Sequence, residues 1–181
     1  MLKLKSFSKE SKSQIWMKDR KYVNFIKSFF NGLVLDVGCG YNKMGNIGVD
    51  IIKNDFVDVI HDLNNTPYPF KDNSFLTINC HHVIEHLNSP EKVLQELHKI
   101  LKPNGKIVIT VPHANHPMYL SSEHKQFFDK KSMTNLMSKY FKIIEIIKWR
   151  GTERMPFPVF IHKIIGMIYP SQLIFIGQKS K

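Results

Sequence analysis

The sequence predicts a doubly wound α/β domain: a single seven-stranded, mostly parallel sheet with helices on both faces and its last strand reversed. Three observations lead there. The stretch Leu33-Val34-Leu35-Asp36-Val37-Gly38-Cys39-Gly40 reads as a buried strand that stops at a tight turn. Short apolar strands then recur at 47–51, 56–60, 75–80 and 106–111. Between the last two, Ser89-Pro90-Glu91 opens a helix with cap, proline and acid in the preferred order. Its apolar stripe is Val93, Leu94, Leu97, Ile100 and Leu101, and Pro103-Asn104-Gly105 ends it. The chain divides into an N-terminal helical arm (1–30), a core (33–113) and a later part (114–181) holding a loop, a helix and a C-terminal hairpin.

Taken in order, residues 13–30 form an amphipathic helix that crowds Trp16, Tyr22, Phe25 and Ile26 on one side, with Gly32 as its stop. In the first strand-turn, Gly38 and Gly40 lack a Cβ, so the turn can take unusual backbone angles and admit a ligand to the main chain. Asp36 is expected at the mouth of that crevice. Two convenient glycines in an ordinary turn would look the same. The nicotinamide fingerprint does not fit, because its third glycine falls on Lys43 and Asp50 comes too soon for its acidic residue. Seven residues separate Gly40 from Gly48, too few for a full crossover helix, so the first helix is one turn or missing. Anion binding by a helix N-terminus is thus in doubt. Backbone N–H groups from Gly38 to Gly40, or the Lys43 charge, would serve instead.

The second strand, Ile47-Gly48-Val49-Asp50-Ile51, ends in a carboxylate able to accept two hydrogen bonds from a ribose diol. Downstream come Val57-Asp58-Val59-Ile60-His61-Asp62-Leu63, Tyr68-Pro69-Phe70-Lys71-Asp72-Asn73-Ser74-Phe75, His82-Val83-Ile84-Glu85-His86-Leu87 and Leu101-Lys102-Pro103-Asn104-Gly105. In order and at this spacing, the set over 33–113 resembles the class I S-adenosylmethionine-dependent methyltransferases, methyltransferase type 11-like, with their Rossmann-like domain. The resemblance implies S-adenosyl-L-methionine as cofactor. It places Asp36, Gly38, Cys39 and Gly40 in the first cofactor motif and Asp50 with Ile51 at the ribose. It places Asp62 at the exocyclic amine of adenine, with the Leu63 N–H on the ring, and His81, beside Cys80, at the methionine end. Asp62 would otherwise be an Asx turn residue. Leu76 departs from the family, which usually has Asp there. The loop after the fifth strand would contact the acceptor. His113 and His124 are the candidate general bases, because histidine titrates near neutrality.

The reaction implied is methyl transfer to a small-molecule or lipid-like acceptor. The alternatives are a non-catalytic cofactor-binding partner subunit and a nucleic-acid methyltransferase that uses basic ends. The formal charge of +11 is uneven: residues 1–30 carry +6, residues 31–124 carry −3 and residues 125–181 carry +8. Basic ends suit an anionic partner, which leaves peripheral membrane contact and nucleic acid open, the second not favoured. Met155–Tyr169 is apolar and reads as a lid or surface segment, too interrupted for a transmembrane span. No secretory leader is read at the start, and the two cysteines, Cys39 and Cys80, form no pair motif, so a cytoplasmic setting is expected. His82-x-x-Glu85-His86 fits a zinc pattern. The surrounding motifs explain that stretch without metal, so none is expected.

Overall fold

The computed structural model describes residues 20–114, 123–149 and 172–180. The sheet is built from β1 (Val34–Val37), β2 (Ile47–Asp50), β3 (Val59–Ile60), β4 (Phe75–His81), β5 (Leu101–Pro112), β6 (Lys142–Trp149) and β7 (Gln172–Gln178). Its order is β3-β2-β1-β4-β5-β7-β6. Strands β1 to β5 pair in parallel, while β7 runs antiparallel to both of its neighbours. After β1 the chain moves outward to β3 and then returns to β4 on the other side of β1. The two directions diverge there, so a crevice opens past the carboxyl ends of β1 and β4, where ligands of open α/β sheets bind.

No helix forms between β1 and β2, as the seven-residue spacing requires. The connection is held instead by side-chain bonds to main chain. Asn46 Oδ1 accepts from the Val34 amide at 2.9 Å, and the Asn46 amide donates to the Val34 carbonyl at 2.9 Å.

Helix α1 (Arg20–Lys27) buries Tyr22 and Ile26, four residues apart and so on one helical face. They pack on Val108, Ile174 and Ile176 of β5 and β7. The opposite face is covered by α2 (Pro90–Ile100) and α3 (Lys130–Met137). Val93, Leu94 and Leu97 of α2 join Leu35, Ile78 and Ile107 of the sheet in the larger core, and Met133 and Met137 extend it. Asp129 caps α3, accepting from the Ser132 amide at 2.7 Å.

The first helix ends at Lys27 rather than at residue 30, and two strand boundaries differ more widely from the sequence reading. Only Val59 and Ile60 pair as β3, because this edge strand has a single partner and Ile60 is exposed. Strand β5 begins at Leu101, directly after α2. A register shift follows, in which Asn104 takes φ 62°, before regular pairing resumes at Lys106. The Lys179 ammonium closes this end. It donates to the His98 and Leu101 carbonyls at 2.7 and 2.8 Å and to Asn73 Oδ1 at 3.0 Å. Residues 13–19, His116 and the segment Met155–Tyr169 lie outside the described residues. Among the described residues no helix is long and apolar enough to cross a membrane.

Candidate functional site

The turn after β1 has Gly38 at φ +65° and Gly40 at φ +52°, backbone angles that favour glycine. Its donors are already used. The Gly38 and Cys39 amides donate to the Val49 carbonyl at 2.8 and 3.3 Å, and the Gly40 amide donates to Asp50 Oδ2 at 2.9 Å. The expected direct N–H contacts from Gly38 to Gly40 are therefore corrected: these amides lock β1 to β2. What the turn offers a ligand is space, because nothing lies within 4 Å of where a Gly40 Cβ would be. Cys39 points inward, with Sγ 3.7 Å from the Phe56 carbonyl, and burial pushes its thiol up to about 12. Cys80 is fully buried as well.

Asp36 is not at the mouth of the crevice. It is 2% exposed and accepts from the Met44 amide, from the Gly45 amide at 3.4 Å and from Asn79 Nδ2 at 2.6 Å. Desolvation raises its carboxyl above the usual range, against those three bonds. Its role is to fold the loop that replaces the missing helix. Asn79, which the sequence reading did not single out, is the polar interruption in an otherwise apolar strand; that interruption was the available signal. Lys43 is not a free charge either, since it pairs with Asp58 at 2.7 Å.

Asp50 stands at the end of β2, half-exposed, with one oxygen on the Gly40 amide and the other on the Ile52 amide at 3.0 Å. A carboxylate has about four acceptor sites, so two remain for a diol. Ile51 and Ile52 are exposed beside it. Asp62 does form the Asx turn: its Oδ1 accepts from the Asn64 amide at 2.9 Å and from Asn64 Nδ2 at 3.0 Å, and these bonds hold it below the usual carboxylate range. The turn leaves its second oxygen and the Leu63 amide without a hydrogen bond among the described residues. His81 is shielded, with Nδ1 3.3 Å from the Tyr22 hydroxyl, and its Nε2 is buried with no partner among the described residues. Burial first, then nearby His82, keeps its imidazole neutral.

Past β4 the chain turns sharply at His82, which has φ 53°, into a 3-10 turn, Ile84–His86. Val83 lies on the glycine turn: a Cβ on Gly38 would come within 2.3 Å of Val83 Cγ2. Glu85 is buried there, its Oε1 3.2 Å from His82 Nδ1. His124 packs on His86, with ring centroids 4.9 Å apart. His113 pairs with Phe128 at the end of β5, and both His113 and His124 are held below the ordinary imidazole value, chiefly by desolvation. The two candidate bases thus occupy different surroundings, His124 over the 3-10 turn and His113 near Asp129 and Lys148.

This switch-point crevice, with a carboxylate closing a glycine turn on one side and a shielded, neutral histidine on the other, lies where open α/β sheets bind their ligands. The family model for the methyltransferase domain matches residues 16–145, and the chain belongs to that family, the class I S-adenosylmethionine-dependent methyltransferases. A relative from Methanocaldococcus jannaschii, the uncharacterized protein MJ0638, is 35% identical over 92 residues, 44% of this chain and 40% of that protein. The chain thus spans well under half the length of this curated relative. Among solved structures, a chain of the complex between the Haloferax volcanii Trm112 methyltransferase activator and a methyltransferase is similar at TM-score 0.70 and 15% identity. The match covers 91% of this chain and 92% of that one. A methyltransferase from Archaeoglobus fulgidus is similar at TM-score 0.64 and 19% identity, covering 93% and 95%.

The cofactor of the family is S-adenosyl-L-methionine, and the residues present fit it. Open space lies over Gly40, Asp50 keeps acceptor capacity, the Leu63 amide is unspent, and the orphaned His81 Nε2 awaits a polar partner.

Proposed function

We propose that this chain transfers a methyl group from S-adenosyl-L-methionine to a small-molecule or lipid-like acceptor bound past the ends of β4 and β5. The carrying observation is the half-exposed Asp50 carboxylate, which closes the glycine turn while keeping acceptor sites for a ribose diol. In this reading Asp50 and Ile51 hold the ribose, and Asp62 with the Leu63 amide holds adenine. His81 lines the methionine end. Being neutral, it does not repel a sulfonium. The cofactor supplies an activated methyl with a good leaving group, so alignment of the acceptor provides much of the acceleration. Where the acceptor carries a proton at working pH, His113 is our choice of base, because its lowered pKa leaves it unprotonated at neutrality.

The acidic balance of residues 31–124 and the exposed Phe127 beside His124 favour an apolar acceptor over a polyanion. The test has two arms. Calorimetry should show binding of S-adenosylmethionine and its demethylated product but not of NAD. Labelled cofactor with fractionated cell extract should then mark the organic or small-molecule fraction. NAD binding without response to either sulfur compound sinks the reading, and label in nucleic acid alone overturns the acceptor class. A second reading, a cofactor-holding subunit of an assembly, draws on the Haloferax volcanii chain seen with its activator. Cofactor binding without turnover by the lone chain favours it.

A further inference from the structure

We propose that Glu85, His86 and His124 bind one divalent transition-metal ion, of the zinc, manganese or iron class, at the acceptor end of the crevice. The three residues bring one ligand atom each to within 4.8 Å of one another. Glu85 and His124 each hold a polar atom without a partner among the described residues. Glu85 is 1% exposed, and its Oε2 is buried with no hydrogen-bond partner; His124 Nδ1 is likewise buried and unpartnered among the described residues. The third is prepared by its neighbour. His86 Nδ1 lies 3.1 Å from the Glu123 carbonyl, which can only accept, so Nδ1 carries the proton and Nε2 presents its lone pair. A ligating histidine usually donates its other N–H to a carbonyl or carboxylate in this way.

The support around the ligands has the same character. Glu85 Oε1 is engaged by His82, which fixes the carboxylate and leaves Oε2 to take another partner. The Glu85 carbonyl accepts from the Lys125 and Gln126 amides at 2.8 and 3.0 Å, which pins the loop bearing His124 to the 3-10 turn bearing the other two. His82 is held at φ 53°, an angle uncommon for a residue with a side chain, and such outliers concentrate at functional sites. Two imidazoles and a carboxylate suit zinc, manganese or iron(II) and leave coordination positions for water or an acceptor oxygen. The pattern visible in the sequence pairs His82 with His86. The fold instead recruits His124 from 38 positions further along and turns His82 into support for Glu85.

Metal binding stands independently of methyl transfer. A role in orienting an oxygen-bearing acceptor rests on that reading, because Val83, two residues before Glu85, covers the cofactor turn. The experiment titrates chelator-treated protein with Zn2+, Mn2+ or Co2+ alone by calorimetry, and follows Co2+ by its visible absorption. The expected result is one equivalent of metal, no thiolate charge-transfer band and a metal-dependent rise in Tm. The stoichiometric binding and the rise in Tm should vanish in Glu85→Gln and in His124→Ala, and persist in His98→Ala. Glu85→Gln keeps the side-chain shape, and circular dichroism checks that each variant is folded. Absence of stoichiometric binding for all three ions, or binding that survives both substitutions, overturns the proposal. Cofactor titration of the same preparation separates the two readings: cofactor binding without metal sinks only this one, and metal binding without cofactor sinks only methyl transfer.

Discussion

The two wings of the sheet are built differently. On one side of the switch point, β1, β2 and β3 are 4, 4 and 2 residues long. On the other, β4, β5, β7 and β6 run 7, 12, 7 and 8 residues. The long wing is held by backbone ladders and by side chains such as Ile107, Ile109 and Phe175, all fully buried. The short wing has few ladder bonds. Its shape comes from Asp36, Asn46, Asp50, Asn54, Asp58 and Asp62, each bonded to main-chain groups of neighbouring loops. Stability and ligand geometry are thus assigned to separate halves of one sheet, and substitutions should separate them too.

The largest effect is expected in the long wing. Phe175→Ala removes a fully buried ring between β5 and β6 and should cost about 3–5 kcal/mol in denaturant unfolding. A loss below about 1 kcal/mol would show that this wing does not hold the molecule. Asp36→Ala should come next, at about 2–3 kcal/mol, because the Met44 and Asn79 donors lose their acceptor while buried. It should also weaken cofactor binding without any contact to the ligand. Unchanged cofactor affinity in a folded Asp36→Ala protein would break the link between loop and site.

The third prediction concerns acid. The His81 pKa is depressed in the fold below 6.5, first by burial and then by His82, so the unfolded chain takes up a proton before the folded one does. The stability tied to this neutral imidazole is complete above about pH 6.5 and is lost as pH falls below it, at about 1.4 kcal/mol per pH unit. Unfolding at pH 7.0 and 5.5 should show that slope in the parent and a shallower one in His81→Gln. His98, His113 and His124 shift in the same direction but are more open to water, so they add less. Equal slopes in parent and variant would rule His81 out as the source. The smallest effect on stability belongs to Asp50→Asn, about 0.5–1 kcal/mol, since the amide oxygen still accepts from Gly40 and only the exposed Ile52 amide loses its acceptor. Cofactor affinity should nonetheless fall about tenfold through loss of the charged acceptor. Parental affinity would remove Asp50 from the ribose.

Most strand positions were legible because apolar runs and turn glycines are local signals, and the mostly parallel sheet with its reversed last strand came with the family resemblance. The missing crossover helix was legible too, from seven residues of spacing. The partners of polar groups were not. Asp36 and Asn79 lie 43 positions apart and meet only because β1 and β4 are neighbours in the sheet. The amides of Gly38, Cys39 and Gly40 looked available because a sequence does not show that β2 consumes them. Asp62 could be read as a turn residue or as an adenine ligand. The turn is present, and it still leaves an oxygen and the Leu63 amide unspent. His124 meets His86 through a loop tied down by the Glu85 carbonyl, and no spacing rule reports such a tie.

The placement of β7 has a consequence for assembly of the chain. It follows β6 in sequence yet lies between β5 and β6, and among the described residues it is the only strand with which β6 pairs. As the polypeptide emerges in order, β6 therefore has no edge to join until β7 has docked on β5. The long wing closes last, by contacts reaching from Gln178 and Lys179 back to residues near 100. Such late, long-range pairing slows folding and leaves the outer edge of β5 exposed in the interval. Nascent protein arrested before residue 172 should therefore have an unpaired β5 edge, a surface that chaperones or other copies of the chain can bind.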